Sequence, residues 1–341
     1  MRYRIFGGTG LRVSTMALGT GNFGMGWGYG SDRDEAIKIF DAYRDAGGNF
    51  IDTADQYQFG QSETMLGEFI ASSRDDILLA SKFSIGADPQ SSLHLTGNSR
   101  KAMIQACEAS LKRLNTDRID LLWVHFPDGV TPTAEIARGL EDLIAGGKIL
   151  YAGLSNFPAW RVATAVTMAE MRGWHAVSAL QIEYSLVARD PERELLPMAA
   201  GFGLGVVGWS PLGGGMLTGK YRDGQTGRLQ GLGAVIHDEN SARKTSTVDA
   251  VLAVAAEVGC PPGQVAVAWV LAKDVLPIIG PRTPAQLVDY LAASEIRLTQ
   301  AQIDLLDAAS APQFVSPETG VADRLNAGKA SLVDPTGRPL L

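Results

Sequence analysis

Eight strand–helix pairs in succession, strands apolar on both faces, and no low-complexity linker between them predict one α/β domain over residues 1–341. The expected architecture is a (β/α)8 TIM barrel with an N-terminal β-hairpin and a long loop after the seventh barrel strand. The 341 residues are 45% hydrophobic, enough for one large core.

The first fourteen residues stand apart. Tyr3–Phe6 and Leu11–Val13 are strand-like runs joined by Gly7-Gly8-Thr9-Gly10, a hairpin whose glycines supply the turn. Residues 15–310 carry the repeat. Its strands are expected at Thr15–Leu18, Asn49–Ile51, Ile77–Ala80, Ile119–Val124, Ile149–Leu154, Val177–Ile182, Gly205–Trp209 and Leu276–Ile279. Near-continuous apolar strands imply a parallel sheet buried on both faces. Helical periodicity fills the gaps: Arg33–Ala46 sets Ala36, Ile37, Phe40 and Tyr43 on one face, and Arg100–Leu114 does the same with Met103, Ile104, Cys107 and Leu111. Further helices are expected at Glu63–Ala71, Thr133–Ala145, Pro158–Met171, Arg193–Ala200, Thr247–Val258, Gln264–Lys273 and Ala285–Ala293. Leu212–Ser246 shows no clear period and reads as a functional or irregular loop. Thr299 and Gln302 form a capping box for a helix Ala301–Ala309, and the Pro/Gly-rich tail 311–341 is expected to be irregular.

Charge and cysteine content exclude several classes. A net charge of −7 argues against nucleic acid, whose partners usually carry a basic field. No apolar run is long enough to span a bilayer, and the N-terminus lacks an apolar secretory core, so the expectation is a cytoplasmic protein with no membrane role. Two cysteines, Cys107 on an apolar helix face and Cys260 at a helix end, imply neither a disulfide framework nor a metal site. The four histidines have no metal-ligand spacing, so no metal is expected. Oligomeric state has no readable signal.

Two glycine motifs suggest nucleotides and fail on context. Gly19-Thr20-Gly21-Asn22-Phe23-Gly24 fits G-x-G-x-x-G after a strand, but Met25-Gly26-Trp27-Gly28-Tyr29-Gly30 follows and cannot open the required helix. Gly214 to Lys220 fits the P-loop frame, yet Tyr221 stands where a Mg²⁺-binding hydroxyl belongs. A glycine run ending in lysine can still wrap a pyrophosphate.

In such a barrel the chemistry gathers at the C-terminal strand ends. Read there, the second strand offers Asp52, with Tyr57 in the following loop, and the third Lys82. The fourth gives His125, the fifth Ser155 and Asn156, the sixth Gln181, the seventh Trp209 and Ser210, the eighth Gly280. Any one of these is ordinarily a capping or solvated residue; seven successive strand ends facing one rim, six of them with polar side chains, form a set.

The blocks Phe50-Ile51-Asp52-Thr53-Ala54-Asp55-Gln56-Tyr57, Ala80-Ser81-Lys82, Val124-His125-Phe126-Pro127-Asp128, Gly153-Leu154-Ser155-Asn156, Gly208-Trp209-Ser210-Pro211-Leu212 and Ile279-Gly280-Pro281-Arg282 resemble those of the aldo-keto reductases. They occur in that family's order over nearly the whole chain, and the hairpin is similar to the plug that closes the family's barrel floor. The resemblance implies a catalytic tetrad of Asp52, Tyr57, Lys82 and His125. It implies reversible NADPH-dependent reduction of an aldehyde or ketone to an alcohol by hydride transfer, a small carbonyl or alcohol being the substrate.

The residue types suit that chemistry. A free tyrosine titrates near ~10, and a neighbouring ammonium favours its phenolate, bringing acid–base exchange closer to neutrality. Asp52 would keep the lysine charged, and His125 would donate to the carbonyl oxygen or share in the proton relay. The resemblance further implies that Thr20 and Asp52 lie against the cofactor and that Ser155, Asn156 and Gln181 hold its carboxamide. Trp209 would stack on the nicotinamide, and Ser210, Pro211, Leu212, Gly215 and Lys220 would cross the pyrophosphate. Gly280, Arg282 and Gln286 align with the adenosine phosphate, though Gly280, Gln286 and Tyr290 depart from the commonest family residues. Arg282 can still pair a 2′-phosphate, which favours NADPH over NADH. Trp27, Tyr29, Phe59 and Phe126 are the candidate substrate walls, suited to a sugar, an aryl aldehyde or a cyclic ketone. The alternative the resemblance allows is an NADPH-binding regulatory subunit with little turnover.

Overall fold

A computed structural model of the chain describes residues 1–175, 177–222 and 238–312. Two short strands, β1 (Tyr3–Ile5) and β2 (Arg12–Ser14), pair antiparallel with Tyr3 opposite Ser14 and Ile5 opposite Arg12. Eight parallel strands follow: β3 (Ala17–Gly19), β4 (Phe50–Asp52), β5 (Leu78–Phe83), β6 (Ile119–Val124), β7 (Ile149–Ser155), β8 (Val177–Glu183), β9 (Gly205–Trp209) and β10 (Leu276–Ile279). They pair in sequence order, and β10 returns to β3 to close the barrel. Strand–helix alternation therefore gives the closed (β/α)8 architecture.

Alternation along each strand sorts the two cores. Ala17, Phe50, Leu78, Ala80, Leu121, Trp123, Ala179, Val207 and Leu276 fill the barrel interior with Phe6 and Val13. Their neighbours Leu18, Ile51, Leu79, Leu122, Leu154 and Leu180 pack outward against helix residues such as Ile39, Leu111, Leu140 and Val166. The period of two carries the interior face from Phe50 to Asp52, from Ala80 to Lys82, from Trp123 to His125 and from Ala179 to Gln181. The chemical rim is thus the top rung of the same ladder whose lower rungs are apolar.

The hairpin occupies the opposite end. Phe6 is 1% exposed and meets Phe50 edge-to-face at 5.6 Å. Gly205 makes room for it, since a Cβ there would come within 2.6 Å of the Phe6 ring. Gly7 turns the chain at φ 55°, where a Cβ would meet the Gly205 backbone nitrogen at 2.3 Å.

Ten helices are described around the barrel: α1 (Arg33–Asp45), α2 (Gln61–Phe69), α3 (Arg100–Arg113), α4 (Thr133–Ala145), α5 (Ala159–Arg172), α6 (Leu195–Gly201), α7 (Ala242–Val258), α8 (Pro262–Ala272), α9 (Pro284–Ala292) and α10 (Gln300–Ser310). Asp32, Ser99, Ser241 and Thr283 accept backbone amides at the starts of α1, α3, α7 and α9. The expected capping box is present: Gln302 N donates to Thr299 Oγ1, and Thr299 N to Gln302 Oε1 at 2.9 Å.

The largest correction to the expected bounds falls after β9. Helix α7 begins at Ala242, five residues before Thr247, so Leu212–Ser246 is not irregular throughout. Its first turn is Ala-Arg-Lys-Thr-Ser, mostly exposed, and therefore has no apolar period to read. The Ser241 cap and the Thr247 hydroxyl, which donates to Arg243 O at 2.7 Å, hold it instead. Residues 223–237 of the expected loop, and the expected tail from 313, lie outside the described residues. Met1–Ser310 forms one compact unit. Cys107 is buried in the outer core, its thiol pushed up to about 12 by burial. Among the described residues no single helix is long and apolar enough to cross a membrane.

Candidate active site

The rim is built around one ammonium. Lys82 Nζ donates to Asp52 Oδ2, to Thr53 O at 2.8 Å and to Tyr57 Oη at 2.9 Å, so all three of its protons have acceptors. The other Asp52 oxygen accepts from Gln181 Nε2 at 2.8 Å and Trp123 Nε1 at 3.1 Å. Lys82 and Asp52 are 0% and 1% exposed. Burial pushes the Lys82 ammonium towards neutrality, but Asp52 and Tyr57 outweigh it and hold the group above its ordinary value. Strands β4, β5, β6 and β8 all contribute to this one node.

His125 stands beside it, just beyond β6. Its backbone N donates to Phe83 O at 2.9 Å and to Ser84 Oγ at 3.1 Å, which fixes the ring's root. Burial, and then the Lys82 charge, push its imidazole well below the usual 6.5, so the ring is neutral at physiological pH. Its Nδ1 is buried without a hydrogen-bond partner. Thr20 lies behind β4, donating its backbone N to Asp52 O at 3.0 Å.

A row of rings crosses the mouth. Tyr29 lies 6.1 Å from Trp27, Trp27 edge-on to Tyr57 at 6.0 Å, Tyr57 edge-on to His125 at 6.2 Å, and His125 stacked on Phe126 at 4.4 Å. Three of the four expected wall residues are therefore brought together with the tetrad. Phe59 is set apart: it is 44% exposed and, among the described residues, joins none of these ring pairs.

The next strand ends form a second cluster. Asn156, at φ 60°, donates Nδ2 to His125 O and to Ser155 Oγ, both at 3.0 Å, and accepts from Trp209 Nε1 at 3.1 Å. Its amide thus braces Ser155, His125 and Trp209 against one another. After β9 the chain turns through Gly213, Gly214 and Gly215, all left-handed, and Gly214 N donates to Ser210 Oγ at 3.2 Å. Pro211 is buried, and Leu212 lies close to Gly263 at the start of α8.

Two cations meet at the edge of this strap. Lys220 is packed so closely on Gly215 that a Cβ there would come within 3.1 Å of its Nζ. Burial, and then the charge of Arg282, lower the Lys220 ammonium's proton affinity. Among the described residues no carboxylate pairs with Lys220 or Arg282. Two unneutralised cations beside a left-handed glycine turn fit a phosphorylated ligand. Gln286 is engaged by its own helix start: its Oε1 accepts from Arg282 N at 2.9 Å and its backbone N donates to Thr283 Oγ1. Gly280 O accepts from Asn22 Nδ2 at 2.9 Å, tying β10 to the first barrel loop.

With the rim described, sequence comparison gives it a family. The profile described as "Aldo/keto reductase family" matches residues 15–311, the whole barrel. The chain belongs to the aldo/keto reductase family. It is 38% identical over 318 residues to the uncharacterized oxidoreductase YrpG of Bacillus subtilis, covering 90% of this chain and 95% of that one. It is 35% identical to an aryl-alcohol dehydrogenase [NADP(+)] of Phanerodontia chrysosporium, covering 88% and 83%. A norsolorinic acid reductase of Aspergillus flavus is 36% identical, covering 87% and 78%. As an aldo/keto reductase the chain is an oxidoreductase of a family that uses nicotinamide cofactors.

The sequence assigns no role to three residues at this rim, although Asp55 lies within a family-like block. Trp123 anchors Asp52; its position two residues before His125, on the inward face, is the only sequence signal for it. Asp55 and Gln58 flank the Tyr57 turn and are both buried. Their adjacency to Tyr57 is a weak pointer, and nothing in their residue type adds to it.

Proposed function

We propose that the protein reduces aryl aldehydes and ketones with NADPH, Tyr57 serving as the proton donor. The observation that carries this reading is the Lys82 ammonium bound at once to Asp52 and to the Tyr57 hydroxyl, beside a neutral His125. The row of rings from Tyr29 to Phe126 supports a flat substrate, and the aryl-alcohol dehydrogenase relative supports the same class.

The bound cofactor supplies a hydride to the carbonyl carbon. The chain's residues manage the oxygen. Tyr57 Oη gives its proton to the developing alkoxide, and Lys82 steadies the phenolate that remains. Asp52 keeps Lys82 charged in a buried site and is itself held by Trp123 and Gln181. His125, neutral and with Nδ1 enclosed, offers its other nitrogen to the carbonyl oxygen and orients it.

Ser155, Gln181 and Trp209 would hold the nicotinamide end, with Asn156 bracing them. The strap from Ser210 to Lys220 would cross the pyrophosphate. Arg282 would pair a 2′-phosphate, which is the reason for preferring NADPH. The test is absorbance of the reduced nicotinamide during incubation with aryl and aliphatic carbonyl compounds. Steady consumption with aryl aldehydes is expected. Tight NADPH binding without consumption across the panel would overturn the reading.

A further inference from the structure

We propose that Gln58 is a positioning residue that sets substrate selectivity, fastening the 21–31 loop and its wall residue Trp27 to the turn that carries Tyr57. The inference rests on the proposed reduction of aryl carbonyls. Gln58 is fully buried, and the three hydrogen bonds of its amide all go to that loop. Its Oε1 accepts from Trp27 N at 2.9 Å, and its Nε2 donates to Gly21 O at 3.0 Å and Tyr29 O at 3.1 Å.

The outer half of the loop depends on this turn. Among the described residues, the hydrogen bonds that residues 25–29 make beyond themselves go to two glutamines. Those not made by Gln58 come from Met25 N and Gly26 N to Gln61 Oε1, at 2.9 and 3.1 Å. The turn is also held in a conformation the residues do not prefer. Gln58 and Phe59 follow Tyr57 at φ 53° and 56°, both left-handed without being glycine. Such a turn persists when its surroundings fix it, and the three bonds from Gln58 are part of that fixing.

Gly24, the last glycine of the dinucleotide-like motif, and two glycines that follow it gain an explanation here. A Cβ on Gly24 would lie 2.8 Å from Gln58 Cβ, one on Gly26 2.6 Å from Gln58 O, and one on Gly30 3.2 Å from Gln58 Nε2. These glycines let the loop close on its own backbone and on Gln58, main chain and side chain alike. Trp27, at its tip, meets Tyr57 edge-on, so the wall and the proton donor share a support. Substrates large enough to touch Trp27 should feel a loss of the staple; short ones should not.

The test compares wild type with Gln58→Gly, which relieves the left-handed strain, and Gln58→Asn, which keeps an amide but shortens its reach. Benzaldehyde and propanal are the substrates, with NADPH binding and amide exchange of Trp27 measured alongside. For both variants KM for benzaldehyde should rise about tenfold or more while kcat stays within about threefold, the pattern of lost binding rather than lost acid. kcat/KM for propanal and the Kd for NADPH should stay within about threefold, and Trp27 amide exchange should quicken. An unchanged benzaldehyde-to-propanal ratio in both variants overturns the inference. So does an equal loss of kcat for the two substrates, which would place Gln58 behind Tyr57 alone. If Gln58→Gly does not fold, Gln58→Asn is read by the same criteria. Wild type reducing neither substrate overturns the proposed function, and this inference with it; an active wild type with an unchanged ratio overturns the inference only.

Discussion

At Lys82 one ammonium serves three acceptors, and removing any partner has a separate consequence. Tyr57→Phe keeps the ring and deletes the hydroxyl. Turnover should fall about 10²–10⁴-fold with NADPH affinity within a few-fold, read by steady-state rates and fluorescence quenching. Near-normal turnover would transfer the proton to another donor, His125 first. Lys82→Met differs because it leaves Asp52 buried with neutral donors only, so stability should drop by about 3–5 kcal/mol along with activity.

Asp55 gives a pH test. Burial and the Glu63 charge push its carboxyl up to about 7, against Arg113, and its Oδ1 has no partner. The folded protein therefore holds a proton that the unfolded chain, with the ordinary value of 3.8, releases. Stability falls as pH rises through that window. Asn cannot ionise, so Asp55→Asn should gain on wild type in urea midpoint as pH rises from about 4 to about 7. His125, held neutral, acts in the opposite sense by favouring unfolding as pH falls below the usual 6.5, and it cancels in this comparison. A difference independent of pH would show Asp55 ionised throughout.

At this scale the sequence was readable where a residue type sits at a strand end. Asp52, Lys82 and His125 announce themselves because a charged or titratable group closes an apolar run. Gln58 does not, since a buried amide bound to backbone groups of a distant loop leaves no periodic trace.

Among the elements, legibility followed apolar periodicity. Strands β6, β9 and β10 and helix α4 have the expected bounds, each ended on its C-terminal side by a polar residue or a glycine: His125, Ser210, Gly280 and Gly146. Helix α7 was misread at its start because a cap, not a stripe, begins it. Strand β5 runs to Phe83 rather than Ala80, since Lys82 looks like an end when read as sequence but continues the pairing with Trp123.

The glycine strap after β9 carries two predictions. Gly213, Gly214 and Gly215 are left-handed at small steric cost, so a bound pyrophosphate would select one conformation from several. Amide exchange over Gly213–Lys220 should slow when NADPH saturates the protein; unchanged protection would mean that the segment does not latch. Arg282→Ala should weaken NADPH by about 1.5–3 kcal/mol and NADH far less. Titration of both cofactors checks it, and equal weakening would move the 2′-phosphate elsewhere.

For the molecule as a whole, the hairpin is structural cargo as much as cover. Phe6 fills space that Gly205 leaves open and Phe50 lines, so Phe6→Ala should cost about 3–5 kcal/mol in denaturant unfolding while kcat and KM stay near wild type. A comparable loss of kcat would mean that packing at the floor reaches the rim. The same plug has a consequence for traffic. With the floor closed by Phe6 and the interior filled with side chains, the described barrel is open to ligands at the opposite end, where the glycine strap and the row of rings stand. On the proposed function, cofactor and carbonyl compound would both have to approach and leave from that side.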